Sequence, residues 1–474
     1  MIPERLEFLR HPDLPPAQLA ELFDDAGEEV YLVGGSVRDA FLERFVEDDL
    51  DFDFATPAHP EKVARILEPW ADAVYGVGAR FGTVAARKDG RTVEVTTYRS
   101  EVYRDDSRKP RVTYSEDIET DLGRRDFTIN AIALSLPELE AFDPFGGLAD
   151  IARETLRTPL APDVSFGDDP LRMLRLFRFQ ATLGFVPDES AVEAVRRMGT
   201  RLEIISAERI RDELNKLMVA PAPGDALRLI VDTGLAEHFL PELPGLAMEQ
   251  DPHHHHKDVL AHTFAVVDKT SPDLTLRLAA LFHDIGKPDT REIGAEGVTF
   301  HHHEVVGARL TRHRMRQLRY PKDMVEDVSQ LVYLHLRPHT LKLGWSDSAV
   351  RRYVRDAGQL LDRLNELVRC DVTTANQRRE RAIQSGIDEL EERIADLSAR
   401  EEMARLRAPV DGNDVMSYLG MDPGPKVGEI MDILLERRID EGPYPASEAY
   451  EVARAWALER GMDDPGPTPE VEEE

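Results

Sequence analysis

The stretch Asp49-Leu50-Asp51-Phe52-Asp53-Phe54 alternates strictly between acid and hydrophobe. Successive side chains of a strand point to opposite faces, so this segment reads as a strand with one acidic and one apolar face. The apolar face, Phe52 and Phe54, must be covered, which places the strand in a sheet with a core beneath it. The other face sets two carboxylates, Asp51 and Asp53, side by side. Neighbouring carboxylates repel each other unless a cation lies between them. Two-metal phosphoryl transfer uses such a clamp, with ions about 3.5–4 Å apart. Asp49 shares the face, so spacing alone does not say which pair binds metal. A third carboxylate is expected from a neighbouring strand, and Glu94, between Val93 and Val95, has a defined face.

Upstream, the apolar run Val30 to Val33 stops at Gly34-Gly35, and Ser36 to Arg44 reads as a helix. Glycine lets backbone approach a ligand closely, and a helix N-terminus offers free N–H groups to phosphate. Arg38, one turn in, can reach the same anion. Downstream, Gly82 to Ala86 and Thr92 to Val95 flank Asp89-Gly90, a hairpin signal because both turn positions want positive φ. Residues 1–150 therefore read as a mixed α/β domain on a small sheet.

Beyond residue 151 strand signals fade. Helical spacing over Asp169–Leu183, Ala191–Met198 and Ser206–Met218 marks a helical neck and body over 151–246. A His-rich helical unit follows over 250–375, then a charged helical region over 376–462. The acidic, Pro-rich tail 463–474 is expected to be disordered. The fold class is α+β in front and all-α behind. In the first of these helices Arg172, Arg175 and Arg178 recur every three residues and share a face, either a solvated stripe or an anion-facing wall.

In the His-rich unit, His262, the adjacent pair His283-Asp284, His303, His335 and Asp371 recur in order. Imidazole and carboxylate together suit divalent transition metals. His301, His302 and His253 to His256 are read as surface residues.

Charge bears on the partner. Ninety Asp and Glu against 59 Lys and Arg leave a net −31. A chain of that sign does not attract nucleic acid as a whole, so binding phosphate requires local arginine clusters. The single cysteine, Cys370, excludes a disulfide framework within the chain and a Cys-based zinc site. Met1 to Gln18 carries charges where a signal peptide needs an apolar run, and no stretch is apolar for long enough to span a membrane. A cytoplasmic protein with no membrane partner is expected. The oligomeric state is left open.

Four motifs appear in order: Gly34-Gly35-Ser36-Val37-Arg38-Asp39, Asp51-Phe52-Asp53-Phe54-Ala55-Thr56, Glu94-Val95-Thr96-Thr97-Tyr98-Arg99 and Arg124-Arg125-Asp126-Phe127-Thr128-Ile129-Asn130-Ala131. This resembles the class II branch of the nucleotidyltransferase superfamily, which holds the bacterial CCA-adding enzymes and poly(A) polymerases. The resemblance selects Asp51 and Asp53 over Asp49 as Mg²⁺ ligands and makes Glu94 the third catalytic carboxylate. It implies nucleotide contacts at Gly34, Gly35, Ser36, Arg38 and Arg125. It also implies that Asp169 and Arg172, in Asp168-Asp169-Pro170-Leu171-Arg172, read the edge of the incoming base, with Arg175 and Arg178 at further nucleotide-contacting positions. An Asp acceptor and an Arg donor suit the amino-bearing edges of C and A. The polar stretch Arg99 to Arg111 matches the flexible loop that the family needs for A addition. Gly78-Ala79-Arg80-Phe81-Gly82-Thr83 resembles the CCA type and not the Gly-Arg-Arg/Lys-Phe signature of poly(A) polymerases.

The His/Asp series resembles the HD phosphohydrolase superfamily. His262, His283, Asp284 and Asp371 match its core metal ligands. His303 and His335 match the extra histidines of its catalytically competent members. The implied metal is Mn, Ni, Fe or Mg. Together the resemblances imply an enzyme that adds CCA to tRNA from CTP and ATP, with a phosphohydrolase behind it. The alternatives are an A-adding enzyme, a poly(A) polymerase, or an HD phosphohydrolase with a vestigial transferase domain.

Overall fold

The computed structural model describes residues 4–44, 52–76, 82–102, 111–115, 117–248, 258–294, 297–338, 345–372, 377–401 and 407–469. Asp51, the loop 103–110 and His253 to His256 lie outside the described residues. The chain divides into two compact units, 1–249 with Arg314–Pro321 and 250–313 with 322–474.

The first unit opens on a sheet. Its strands are β1 (Tyr31–Val33), β2 (Phe52–Thr56), β3 (Ala73–Tyr75), β4 (Thr83–Lys88) and β5 (Arg91–Thr97). After a separate ribbon, β6 (Arg99–Val102) with β7 (Arg111–Tyr114), come β8 (Ala133–Ser135) and β9 (Ala141–Phe142). The sheet order is β3-β4-β5-β2-β1-β8-β9. β2 runs antiparallel to β1 and parallel to β5. Alternation decides the faces: Phe52, Phe54, Val93 and Val95 are buried, whereas Asp53 and Glu94 are exposed. The buried face packs on α1 (Pro15–Asp25) and α3 (Pro60–Leu67) through Leu19, Phe23, Val63 and Leu67. Between these helices comes α2 (Gly35–Phe41), which starts directly at the Gly-Gly turn. The expected hairpin is present, with φ of 49° at Asp89 and 82° at Gly90. Short helices α4 (Ile118–Gly123) and α5 (Gly147–Ala152) complete the head.

The neck follows as α6 (Pro162–Asp168), α7 (Leu171–Leu183), α8 (Glu189–Met198), α9 (Ala207–Met218) and α10 (Pro223–Asp232). A two-residue parallel pair, β10 (Thr155–Leu156) with β11 (Val186–Pro187), ties its start to the end of α7. α7 packs on α9 and α10. Leu174, Phe177, Leu214, Leu217, Leu227 and Ile230 are buried.

The second unit is helical, with α11 (Val259–Lys269), α12 (Leu274–Phe282), most of α13 (His303–Gln317), α14 (Lys322–Leu334), α15 (Asp347–Ala357), α16 (Leu361–Cys370) and α17 (Gln377–Glu401). An antiparallel hairpin, β12 (Arg291–Gly294) with β13 (Gly297–Phe300), interrupts it. The sequence does not announce this hairpin, since four-residue strands are too short to establish alternation. The last helices, α18 (Gly412–Leu419), α19 (Pro425–Glu441) and α20 (Ala446–Glu459), enclose a core of their own around Val415, Ile430, Leu434, Ala453 and Trp456. Residues 463–469 form no helix or strand, yet Asp464 pairs with Arg454 and the Gly466 carbonyl accepts from the Tyr418 hydroxyl at 3.0 Å. Among the described residues no helix is long and apolar enough to cross a membrane.

Candidate active site and metal centre

Asp53 and Glu94 occupy paired positions of the parallel strands β2 and β5, so both carboxylates leave the sheet on one face. Gly34, just past the end of β1, lies directly beside Asp53. It has φ of 78°, and a Cβ added to it would stand 3.3 Å from Asp53 Oδ2 and 3.2 Å from Arg125 Nη1. Glycine is therefore required twice here, for its positive-φ backbone and for the close approach.

A cleft of about 310 Å³ opens at this point, lined by Gly34, Gly35, Asp53, Arg125, Asp169, Arg172 and Arg175 from the predicted set. Arg124, Asp126, Asn130 and Arg209 complete it. Its five arginines outnumber its three carboxylates, Asp53, Asp126 and Asp169, so the lining is net positive where the chain as a whole is acidic.

Other predicted residues are turned to protein partners. Ser36 is buried and its hydroxyl donates to the Val33 carbonyl. Arg38 donates to both oxygens of Asp39 and to Asn130 Oδ1, each at 2.8 Å. Arg178 forms an ion pair with Glu213 at 2.6 Å. The guanidinium groups of Arg38, Arg175 and Arg178 all lie near the Phe179 ring, at 5.3, 5.5 and 3.8 Å from its centroid. Arg175 and Arg178, held by Asp126 and Glu213, therefore do not lie on a solvated stripe. Arg172 is the most buried of the helix arginines, 9% exposed, and donates to Ser165 and to the Arg124 carbonyl.

Asp169 sits in the break between α6 and α7. One carboxylate oxygen accepts the Leu171 N–H at 3.1 Å, and the other accepts from Arg209 Nη2 at 2.8 Å. Arg209 was not expected at the cleft. It lies on α9 together with Glu213, four residues on, and both reach toward α7 and the break before it. Asp126 was also missed. It is buried, pairs with Arg175 and accepts from Asn130 Nδ2 at 2.9 Å. Burial opposes its charge, but Arg175, Asn130 and Arg172 outweigh that and hold its carboxyl well below the usual range.

The second unit brings the six predicted metal ligands into one cluster. His283 follows the end of α12, with Asp284 next to it; His303 opens α13, His335 follows α14 and Asp371 follows α16. The Nδ1 atoms of His283, His303 and His335 lie 2.7, 2.8 and 2.6 Å from the carbonyls of Ala280, Phe300 and Val332. A carbonyl only accepts, so each Nδ1 carries the proton. The Nε2 atoms face inward, as in metal sites whose ligand histidines are oriented from behind. His303 and His335 Nε2 stand 3.3 Å apart, as do those of His262 and His283. Asp284 serves both sides. Its Oδ2 is 3.2 Å from His283 and 3.6 Å from His262, and its Oδ1 is 3.5 Å from His303. Asp371 Oδ1 is 2.9 Å from His262 and 3.4 Å from His283. Among the described residues, two groups able to hold a metal therefore share Asp284: His262, His283 and Asp284, and Asp284, His303 and His335. Burial works against charge on His283, yet Asp284 and Asp371 outweigh it and push its pKa up to about 10. Burial and the His283 charge push His335 down to about 3. Lys287 Nζ contacts Asp284 Oδ2 at 2.7 Å.

A sheet with paired carboxylates beside a Gly-Gly turn, an arginine-lined neck and a buried His/Asp cluster define a nucleotidyltransferase joined to an HD domain. The chain matches the poly(A) polymerase head domain over residues 30–157. It matches the probable RNA and SrmB-binding site of polymerase A over 184–246, and the HD domain over 254–376. It is 34% identical to the A-adding tRNA nucleotidyltransferase of Deinococcus radiodurans over 474 residues, 95% of this chain and 99% of that protein. It is 41% identical to the CCA-adding enzyme of Streptococcus gordonii over 242 residues, 51% of this chain and 58% of that protein. Among solved structures, the CCA-adding enzyme of Bacillus stearothermophilus in complex with CTP superposes with a TM-score of 0.67 at 26% identity, covering 94% of this chain and 98% of that one. The chain belongs to the tRNA nucleotidyltransferase family and is a nucleotidyltransferase.

Proposed function

We propose that this enzyme adds CCA to the 3′ ends of tRNA from CTP and ATP, and that its HD domain is a metal-dependent phosphohydrolase. The first part is carried by Asp53, paired in register with Glu94 and set beside Gly34 in a cleft that also holds five arginines and Asp169. The 3′-hydroxyl attacks the α-phosphate, the new P–O bond forms, and pyrophosphate leaves. Mg²⁺, held by Asp53 with Asp51, supplies charge neutralisation at the phosphates when bound. Glu94, on the nucleophile side, holds the hydroxyl or takes its proton as the bond between the α- and β-phosphates breaks. The Gly34-Gly35 turn and the first residues of α2, Ser36 and Arg38, hold the triphosphate, and Arg125 and Arg175 add positive charge. Asp169 accepts from the amino group that C and A share and that U and G lack at that edge. Arg172, which lines the cleft, donates to the ring. Positioning and electrostatics supply most of the rate.

In the HD centre, imidazole and carboxylate donors fit Mn, Ni, Fe or Mg, which would be held by His262, His283, Asp284, His303, His335 and Asp371 and would supply Lewis-acid activation of a phosphate ester. The chemistry acts in the cytoplasm, on RNA ends that must be free hydroxyls before addition. Loss of phosphatase activity in His283→Ala, with CCA addition intact, is the required result.

A second reading, A-only addition, is favoured by the whole-length likeness to an A-adding enzyme. Incorporation into tRNA lacking CCA, with CTP, ATP and both, decides, using Asp53→Ala as control. Two C and one A support the proposal. A added only to tRNA already ending in CC replaces it with the second reading, and long A tracts on any RNA overturn both.

A further inference from the structure

The β12–β13 hairpin lies in the chain between Lys287 and His303, two residues of the HD cluster. Its register pairs Arg291 with Phe300 and Ile293 with Val298, so these four side chains share one face. Phe300 works at both levels of the site. Its backbone carbonyl accepts from His303 Nδ1 at 2.8 Å. Lys287 Nζ lies over one face of the Phe300 ring, 5.6 Å from the centroid, which leaves the opposite face for a ligand; the same Nζ contacts Asp284 at 2.7 Å. The ring is part-exposed, and Ile293 further along the same face is 72% exposed. This face is thus not consumed by a core.

A plain phosphate ester needs cations and a lysine and gains nothing from an aromatic ring. A nucleoside phosphate does gain, because its base has a π-face to stack, and such stacking is tolerant of base identity. We propose that Phe300 is a specificity-determining residue of the HD centre: it stacks the base of a nucleoside phosphate, free or at an RNA 3′ end, whose phosphate lies at the metal cluster. The hairpin is then the part of the domain that distinguishes nucleotides from other phosphate esters. This rests on the phosphohydrolase reading of the centre.

Side-chain replacement separates the two roles, because the carbonyl that orients His303 stays. The test uses the full metal-loaded chain with Phe300→Leu and Phe300→Trp. Calorimetry compares 3′-AMP with inorganic phosphate, and His283→Ala identifies heat arising at the transferase cleft. Phe300→Leu is expected to weaken 3′-AMP about tenfold, leave phosphate binding and metal content unchanged, and be rescued by Phe300→Trp. Hydrolysis of 3′-AMP against glycerol 2-phosphate should divide the same way, in KM. Equal weakening of both ligands, no weakening of either, or wild-type protein that binds 3′-AMP no better than phosphate overturns the proposal. If the wild type hydrolyses neither ester, the phosphohydrolase reading falls, and the calorimetry still decides the stacking.

Discussion

Gly286 and His303 meet backbone to backbone: a Cβ on Gly286 would stand 2.2 Å from the His303 carbonyl oxygen and 2.6 Å from the Gly307 nitrogen. This contact brings the first turn of α13 against His283-Asp284 and so joins the two halves of the HD cluster. Gly286→Ala must push α13 away, at a cost of about 1–3 kcal/mol for overpacking. His303 then leaves Asp284. The expected result is reduced metal content after gel filtration, with nucleotide incorporation retained. Full metal occupancy in the variant would show that the contact does not assemble the cluster.

At the transferase cleft the sensitive position is Gly34. An alanine there costs about 1–3 kcal/mol for an extended, positive-φ backbone that only glycine adopts readily, and presses on Asp53 and Arg125. Nucleotide KM should rise about tenfold, with a lower kcat and unchanged HD metal content. Steady-state kinetics with CTP and ATP measure this, and wild-type constants would refute it.

Arg209 is expected to govern fidelity without governing stability. Its pair with Asp169 is half exposed on the arginine side, so Arg209→Ala should cost less than about 1 kcal/mol of folding free energy. Asp169 loses the partner that holds one of its oxygens, and misincorporation of UTP relative to CTP should rise about tenfold. Competition assays with mixed nucleotides read this directly; unchanged discrimination would remove Arg209 from base selection.

The Asp126 pair predicts a pH dependence. Its native pKa is depressed below the unfolded value of about 3.9. Its stabilisation is therefore fully present above that value and is lost as pH falls through the native one. Asp126→Asn should be less stable than wild type at pH 7, by on the order of 3 kcal/mol, and the difference should shrink below about pH 4. Urea unfolding at pH 7 and pH 3 tests the sign; a gap that does not change with pH would contradict it.

Period-two alternation made part of the site legible. It fixed the faces of Asp53 and Glu94, and Asp89-Gly90 announced the turn between β4 and β5. The His/Asp series could be read because adjacent His283-Asp284 is a rare arrangement and the remaining ligands recur in order. What a repeat of three could not say is which way each arginine turns. Arg172 points into protein, whereas Arg175 and Arg178 converge on Glu213. Arg209 and Glu213 were hidden because a helix's polar face looks the same whether it meets water or another helix. Ser36 and Arg38 lie where the motif expects them, but the side chains they face come from tertiary packing that no local pattern encodes.

The parallel pairing of β2 with β5 has a consequence for how the enzyme matures. Asp53 reaches Glu94 only when two strands separated by a helix and two further strands align in register. A slip of one residue would set Phe52 or Phe54 beside Glu94 and reverse every side chain of the strand. Such a chain would keep its helices and lose its chemistry. Long-range parallel pairing is slow to form, so in refolding experiments catalytic competence should lag behind the return of helical signal, and turnover becomes a clock for the last step of assembly.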